Sequence, residues 1–331
     1  MQRAASNALL SKALYRFASV DNLPIALFLV LAAIPLAAAF GAQTYILGLF
    51  IRVMIFAIAV LGLDLLVGYG ALVSFGHAAF IGLGAYAVGI LAAHGVHEGL
   101  IVLPVALVVA TVFAIVTGLV CLRTKGVYFI MITLAFGQMA FFTASSLAPY
   151  GGDDGLTIQM RNTLFGLPLL RNEHTFYYIV FACLLGAYWL CRILVGSRFG
   201  RVFRGAKENP TRLATIGFDV YRFQLIGYAI SGALGGLSGF LLANATDFVS
   251  PAFMSWQRSG ELIIMLLLGG MGRLYGAIVG AIAFILIEEW LSGVTEHWKI
   301  IFGPLLVLVV LFARGGLVGL WSDLTGTGRH D

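Results

Sequence analysis

Charged side chains are scarce in this sequence. Only 11% of its 331 residues are Asp, Glu, Lys or Arg, whereas soluble domains carry about 25%. Hydrophobic residues make up 60% of the chain, and the mean hydropathy is +0.98. This composition excludes a soluble domain and predicts a polytopic membrane protein. The net charge of +5 does not predict a nucleic-acid partner, because basic residues in membrane proteins mostly mark cytoplasmic loops.

Catalytic and metal-binding signatures are also missing. The chain contains no GxSxG motif, no HExxH motif and no Gly-Lys pair, so it has no P-loop. Its three cysteines, Cys121, Cys183 and Cys191, lie in apolar segments and form no CxxC pair. The sequence therefore predicts a protein that is not an enzyme and holds no metal or cofactor. Nucleotide energy, if used, must come from another chain.

Long apolar runs fill most of the chain. A membrane-spanning helix needs about 20 apolar residues, and ten segments approach that length: 23–40, 44–63, 71–93, 100–122, 127–146, 175–195, 223–245, 257–270, 275–292 and 299–313. The segment 257–270 is short enough to be a half-helix or a re-entrant piece. We therefore predict an all-α fold, a single transmembrane bundle over residues 1–331 with eight to ten full spans.

The basic residues predict the orientation of this bundle. If the N-terminus is inside, most of the 20 Lys and Arg residues fall on inner loops and tails, as the positive-inside rule requires. Both termini are then cytoplasmic, with tails over 1–22 and 314–331. The apolar run 23–40 exceeds the usual 7–15-residue core of a secretion signal. We interpret it as an uncleaved first helix.

One stretch, residues 67–91, is dense in glycine and carries Ser74 and His77. If it is helical from Ala71 onward, Ser74 and His77 share one face with Ile81 and Gly84. A glycine-dense start beside an ionisable ring is typical of broken segments that line a cavity. We interpret 67–91 as the wall of a translocation path. Two roles stay open for His77, a cavity-lining group or a histidine bonded to a backbone carbonyl.

Two predicted loops are long. The outer one, 147–174, carries the adjacent Asp153 and Asp154 but no further oxygen ligands at the spacing that calcium coordination needs. We interpret its glycine-flanked turn as the outer mouth of the path, formed by Gly152, Asp153, Asp154 and Gly155. The inner loop, 196–222, contains a strong capping residue, Asn209, before a proline, and a glycine at 217. These capping and stop residues predict a short helix over 210–216. The helix is either a docking element or a basic anchor without further function.

Ionisable residues inside apolar segments are costly, so each needs a role. Arg258 and Glu261 are one turn apart and can pair. The glutamates at 288–289 are expected at the outer interface. For Asp64, a cap or a partner of a basic side chain is favoured over a proton or ion site. Arg52 has no evident partner in the sequence.

Four blocks, 63–87, 123–139, 151–157 and 196–241, together resemble the LivM/LivH-type permease subunits of branched-chain amino-acid ABC transporters. The blocks fall in the order of that family, and the run LRTKGVYFIMITLAFGQ before the Gly-Gly-Asp loop favours the LivM side. The resemblance implies an importer of the bacterial inner membrane. Its partners would be a second permease, two cytoplasmic ATPases that bind the ATP, and an extracytoplasmic substrate-binding protein.

The resemblance also implies site residues. The path maps onto Ser74, Gly76, His77, Gly82, Gly84 and Tyr86. The ATPase-docking segment maps onto Ala206, Glu208, Asn209, Pro210, Ala214 and Gly217. Pro210 and Thr211 depart from the acidic or alanine residues that are commoner there.

Other functions remain open at this stage. Related permeases serve urea, short amides or other amino acids. An ion-coupled secondary transporter would use Asp64, His77 or Glu261 as its coupling group, and a membrane lipid enzyme would need a polar cluster that is not visible in the sequence.

Overall fold

The computed structural model describes residues 23–38, 43–295, 297, 300–304 and 315–324. The described part is a helical bundle. Its α-helices are α1 Leu23–Ala38, α2 Gln43–Asp64, α3 His77–Ala93, α4 Gly99–Cys121, α5 Val127–Ser146, α6 Glu173–Gly196, α7 Arg198–Glu208, α8 Pro210–Thr215, α9 Val220–Thr246, α10 Trp256–Gly269, α11 Leu274–Val294 and α12 Gly316–Leu324. Two strands of two residues each, β1 Leu156–Thr157 and β2 Phe248–Val249, pair antiparallel. The predicted helical bundle is thus confirmed, apart from this small strand pair.

Within the described residues, six helices are long and apolar enough to cross a membrane. They are α2 with the turn that follows it, α4, α5, α6, α9 and α11; α3 and the first part of α1 are apolar but shorter. Helix α10 has 14 residues, which agrees with the short segment predicted at 257–270. The tail 1–22 and residues 299 and 305–313 of the predicted segment 299–313 lie outside the described residues.

Helix α9 lies at the centre of the bundle, where it packs against α2, α3 and α4. Helix α2 is buried from Val53 to its C-terminal end at Asp64. Glycines make this packing close, because a Cβ at Gly239 would clash with the Ile81 carbonyl and one at Gly235 would clash with Phe80. Small residues let helices approach in this way. Gly235 and Gly239 of α9 therefore serve packing inside this chain.

The predicted start of the third helix at Ala71 was wrong. A π-helical turn, Leu65–Tyr69, continues α2 and is followed by non-helical backbone up to Gly76, so that α3 begins only at His77. The reason lies in tertiary structure, because the Ser259 hydroxyl of α10 accepts a 3.0 Å hydrogen bond from the Ala78 amide in the first turn of α3. Ser74 lies before the helix, so the helical face expected to join it to His77 does not exist.

The two long loops lie at opposite ends of the bundle. Helix α6 has 24 residues and separates the loop 147–174 from the loop 196–222. Near the C-terminus, residues 315–324 are not a simple tail, because α12 packs on α10 and α11. The backbone segments at Gly270 and Gly315 approach closely there, since a Cβ at Gly270 would meet the carbonyl of Gly315.

Candidate translocation groove and docking face

The backbone between α2 and α3, residues 65–76, is here called the interrupted stretch. It consists of the π-helical turn and an irregular segment in which Ala71 has a φ of 54°. Non-glycine residues seldom occupy this left-handed region, and π-helical turns occur often at functional sites. The glycine density of the stretch indicated such a break; its exact position depends on the neighbouring helices.

His77 is fully buried at the beginning of α3. Its Nε2 lies 3.2 Å from the carbonyl oxygen of Ala59, and its ring packs edge-on against Phe80. This is the arrangement of a histidine bonded to a backbone carbonyl, one of the two possibilities that the sequence left open. Ser74 is also fully buried, and its hydroxyl accepts a 3.4 Å hydrogen bond from the Gly76 amide. A role of either residue in the path stays a prediction.

The glycines predicted for the path lie at close backbone contacts. A Cβ at Gly76 would clash with the carbonyl of Thr133, and one at Gly84 would clash with Gly236 of α9. A Cβ at Gly82 would clash with the side chain of Met254. In this conformation the three glycines allow neighbouring segments to touch, and they do not border open space.

Tyr86, one of the six predicted path residues, borders a cavity. This cavity, called the α3–α5 groove, has a volume of about 530 Å³ and is lined by α3, α4, α5 and Met254. The Tyr86 hydroxyl is buried and has no hydrogen-bond partner. The other lining residues are mostly apolar, among them Leu83, Ile90, Val109, Phe113, Phe136 and Met139. Such a site suits an aliphatic group.

The outer loop is held firmly at its end of the bundle. The predicted turn has Gly152 and Gly155 at positive φ, and it leads into β1. Asp153 and Asp154 are exposed, and no group of three metal-ligating side chains occurs among the described residues. Farther along, the Glu98 carboxylate accepts backbone hydrogen bonds from residues 165–166.

The sequence did not predict a polar cavity beside this loop. It has a volume of about 480 Å³, and its lining includes Arg161 and Asp247, whose Nε and Oδ1 atoms are 3.2 Å apart. The signal in the sequence was Arg161, one of two arginines on the outer loop. Its partner could not be found, because it lies 86 residues away.

The docking face consists of α7 and α8, at the opposite end of the bundle. The short helix predicted over 210–216 is confirmed as α8, with the Asn209 side chain capping the Arg212 amide at 3.0 Å and Gly217 at a φ of 94°. Helix α7 was not predicted. It buries Ala206, so this residue is shielded from a partner, whereas Glu208, Asn209 and Ala214 are exposed.

Two apolar side chains on this face were missed. Ile216 is 66% exposed and Phe218 is 40% exposed, on either side of Gly217. Apolar residues on either side of a helix-stopping glycine were the available signal in the sequence.

Arg52 does have partners. Its Nη2 lies 3.4 Å from the Glu288 carboxylate and its Nη1 lies 4.0 Å from Glu289, which also accepts a 2.6 Å hydrogen bond from Tyr45. The predicted pair of Arg258 and Glu261 is confirmed at 2.6 Å. The charges of α2 and α11 therefore neutralise each other across 236 residues of sequence.

We expect Arg52→Met to destabilise the chain, because it leaves the Glu288 carboxylate without its cation in a mostly apolar setting. The double variant Arg52→Met/Glu288→Gln should regain stability, giving a coupling energy of about 1 kcal/mol or more in a double-mutant cycle. Thermal unfolding of the four proteins of the cycle in detergent measures this coupling energy. Strictly additive losses would contradict the pairing.

These features define a class of protein, a helical membrane permease with an apolar groove and a separate docking face. Residues 45–310 match the family model described as branched-chain amino acid transport system / permease component. The chain belongs to this family, which is one of transport permeases and not of enzymes.

Individual relatives agree with the family. The chain is 26% identical to the high-affinity branched-chain amino acid transport system permease protein LivM of Escherichia coli (strain K12), over 80% of this chain and 68% of that protein. It is 30% identical to the probable branched-chain amino acid transport permease protein LivH of Methanocaldococcus jannaschii, over 49% of this chain and 52% of that protein. A nucleoside ABC transporter permease protein, NupC of Lactococcus lactis, is 33% identical over 27% of this chain and 32% of its own length. No solved structure matches the chain significantly.

Proposed function

We propose that this chain is the LivM-type permease subunit of an ABC importer that moves branched-chain or other hydrophobic amino acids across the bacterial inner membrane. The observation that carries the proposal is the family match over residues 45–310. The names of the LivM and LivH relatives support the substrate class. The chain itself makes or breaks no bond in the substrate, and ATP is bound by partner subunits.

The proposed orientation places the docking face in the cytoplasm. Five basic residues cluster on α7 and α8, as positive-inside topology requires: Arg198, Arg201, Arg204, Lys207 and Arg212. Both termini are then cytoplasmic, and the loop 147–174 faces outward. The proposed partners follow this arrangement, with two ATPases below, a substrate-binding protein above, and a second homologous permease beside the chain in the bilayer.

The proposed path runs along the α3–α5 groove. Its apolar lining suits a Leu-, Ile- or Val-sized side chain. The Tyr86 hydroxyl, which is buried and unpaired in this conformation, would bond a polar atom of the substrate once the groove opens. The remaining predicted residues, Ser74, Gly76, His77, Gly82 and Gly84, stay part of the proposed path. Alternating access would move this wall when the ATPases close on ATP.

Reconstitution into vesicles tests the proposal. The chain is combined with a paralogous permease, two ATPases and a binding protein, and uptake of leucine is measured. We expect uptake that requires ATP and stops with vanadate, and much weaker uptake of urea and acetamide. If the chain alone accumulates leucine and responds to ionophores but not to vanadate, it is an ion-coupled carrier and the proposal fails.

We expect Tyr86→Phe to reduce leucine uptake about two- to tenfold, the effect of losing one hydrogen bond of ordinary strength. The ring keeps its volume, so the groove keeps its shape. Initial rates over a range of leucine concentrations measure the effect. Tyr178→Phe is the matched control, because Tyr178 is 46% exposed on α6, away from the groove. Equal rates for both variants would exclude the hydroxyl from the path.

A further inference from the structure

The end of α2 is capped by a residue from the docking face. In the π-helical turn, the Leu66 carbonyl accepts from the Leu72 amide at 3.0 Å and the Val67 carbonyl accepts from the Ala71 amide at 3.2 Å. The carbonyl of Gly68 instead accepts a 2.8 Å hydrogen bond from the ammonium group of Lys207. Because the last carbonyls of a helix lack internal partners and carry partial negative charge, a cation is a favourable cap. Helix α7 thus completes the end of α2.

A second contact joins the same two elements. The Phe203 ring of α7 is fully buried and packs against the backbone of Gly70 and Gly227, where a Cβ would clash with the ring. Lys207 lies one helical turn after Phe203, so both project from the same side of α7. The docking face therefore touches the interrupted stretch at Gly68 and at Gly70.

The interrupted stretch is also held by the connection between α10 and α11. Asp64 is fully buried, and its Oδ1 accepts a 2.8 Å hydrogen bond from the Gly272 amide in the connection between α10 and α11. Its second oxygen, Oδ2, has no hydrogen-bond partner in the described structure. Ala71 in this stretch has a left-handed conformation, and regular helical hydrogen bonds do not maintain the backbone there. The shape of the interrupted stretch therefore depends on its contacts with neighbouring elements.

We propose that Lys207 is a positioning residue for transport, which couples displacement of the docking face to the interrupted stretch and so to the beginning of α3 at His77. When α7 is displaced, the hydrogen bond of Lys207 transmits the displacement to the Gly68 carbonyl. The hydrogen bond between Asp64 and Gly272 meanwhile fixes the N-terminal end of the interrupted stretch. The intervening backbone then has to change its conformation. This inference rests on the proposed docking of ATPases to α7 and α8.

The test uses the complete complex with its ATPases, second permease and binding protein. Lys207→Met removes the donor, Lys207→Arg restores a cationic donor, and Lys125→Met is the matched control. Lys125 is an exposed lysine in the short connection between α4 and α5, outside the docking face. For each complex we measure retained ATPase, ATP hydrolysed, and leucine accumulated per ATP.

We expect Lys207→Met to retain its ATPases and to hydrolyse ATP, while leucine accumulated per ATP falls about fivefold or more. Lys207→Arg should recover most of this ratio, and Lys125→Met should match the wild type. A wild-type ratio in Lys207→Met overturns the inference, and so does loss of its ATPases, since Lys207 would then be a docking contact. If Lys207→Met does not accumulate in the membrane, Lys207→Gln is measured with the same two outcomes. A wild-type chain that retains no ATPase refutes the proposed function instead.

Discussion

Ile216→Asp should release the ATPase subunits while the permease chain stays folded. Ile216 is 66% exposed at the tip of the docking face, so no packing inside this chain is lost. Burial of an isoleucine side chain in a partner is worth about 1.5–3 kcal/mol, and a carboxylate in the same pocket adds a desolvation cost. We expect the amount of co-purified ATPase to fall by about tenfold or more.

Affinity purification of the permease, followed by quantification of the bound ATPase, measures this effect. Thr211→Asp is the matched control, because it adds the same charge to an exposed position at the other end of α8. An acidic group is tolerated at a helix N-terminus. If both variants lose the ATPase equally, the added charge is responsible and the apolar tip is not the contact. If neither loses it, the docking surface lies elsewhere.

Gly84→Leu is expected to prevent folding of the bundle. Gly84 on α3 packs directly on the backbone of Gly236 on α9, so a side chain has to push two central helices apart. Overpacking in a core costs about 1–3 kcal/mol where side chains can move. Here the obstacle is backbone, which cannot rotate away, and the loss should exceed that range.

Size-exclusion chromatography and thermal unfolding of detergent-extracted protein measure the loss. Gly186→Leu is the matched control, because Gly186 lies in α6 with nothing within 4 Å of its Cβ position. We expect the control to behave like the wild type and Gly84→Ala to be intermediate. A Gly84→Leu chain as stable as the control would contradict the close contact between α3 and α9.

Much of the fold was readable from local sequence. The apolar segment predicted at 127–146 coincides with α5, Val127–Ser146, because a long run of apolar residues satisfies its backbone in lipid only as a helix. Helix α8 was predicted equally well, since its start and stop depend on Asn209 and Gly217, which act on their immediate neighbours. The amphipathic helix α7 escaped prediction because its many arginines were interpreted only as orientation signals.

The candidate site was less predictable, because its contacts join distant parts of the chain. Gly76 and Gly84 were recognised as unusual, but whether they face a cavity or another backbone depends on Thr133 and Gly236. Arg52 had no partner until α11 brought Glu288 beside it.

Hydropathy and capping residues, which act over one or two helical turns, were therefore enough to establish a helical membrane protein with a short capped helix on a basic loop. Packing between helices set the start of α3, the burial of His77, the opening of a groove beside Tyr86 and the contact of Lys207 with Gly68. These features depend on which helices become neighbours. In an apolar bundle that choice rests on shape and a few polar contacts, whose partners are separated by as many as 244 residues.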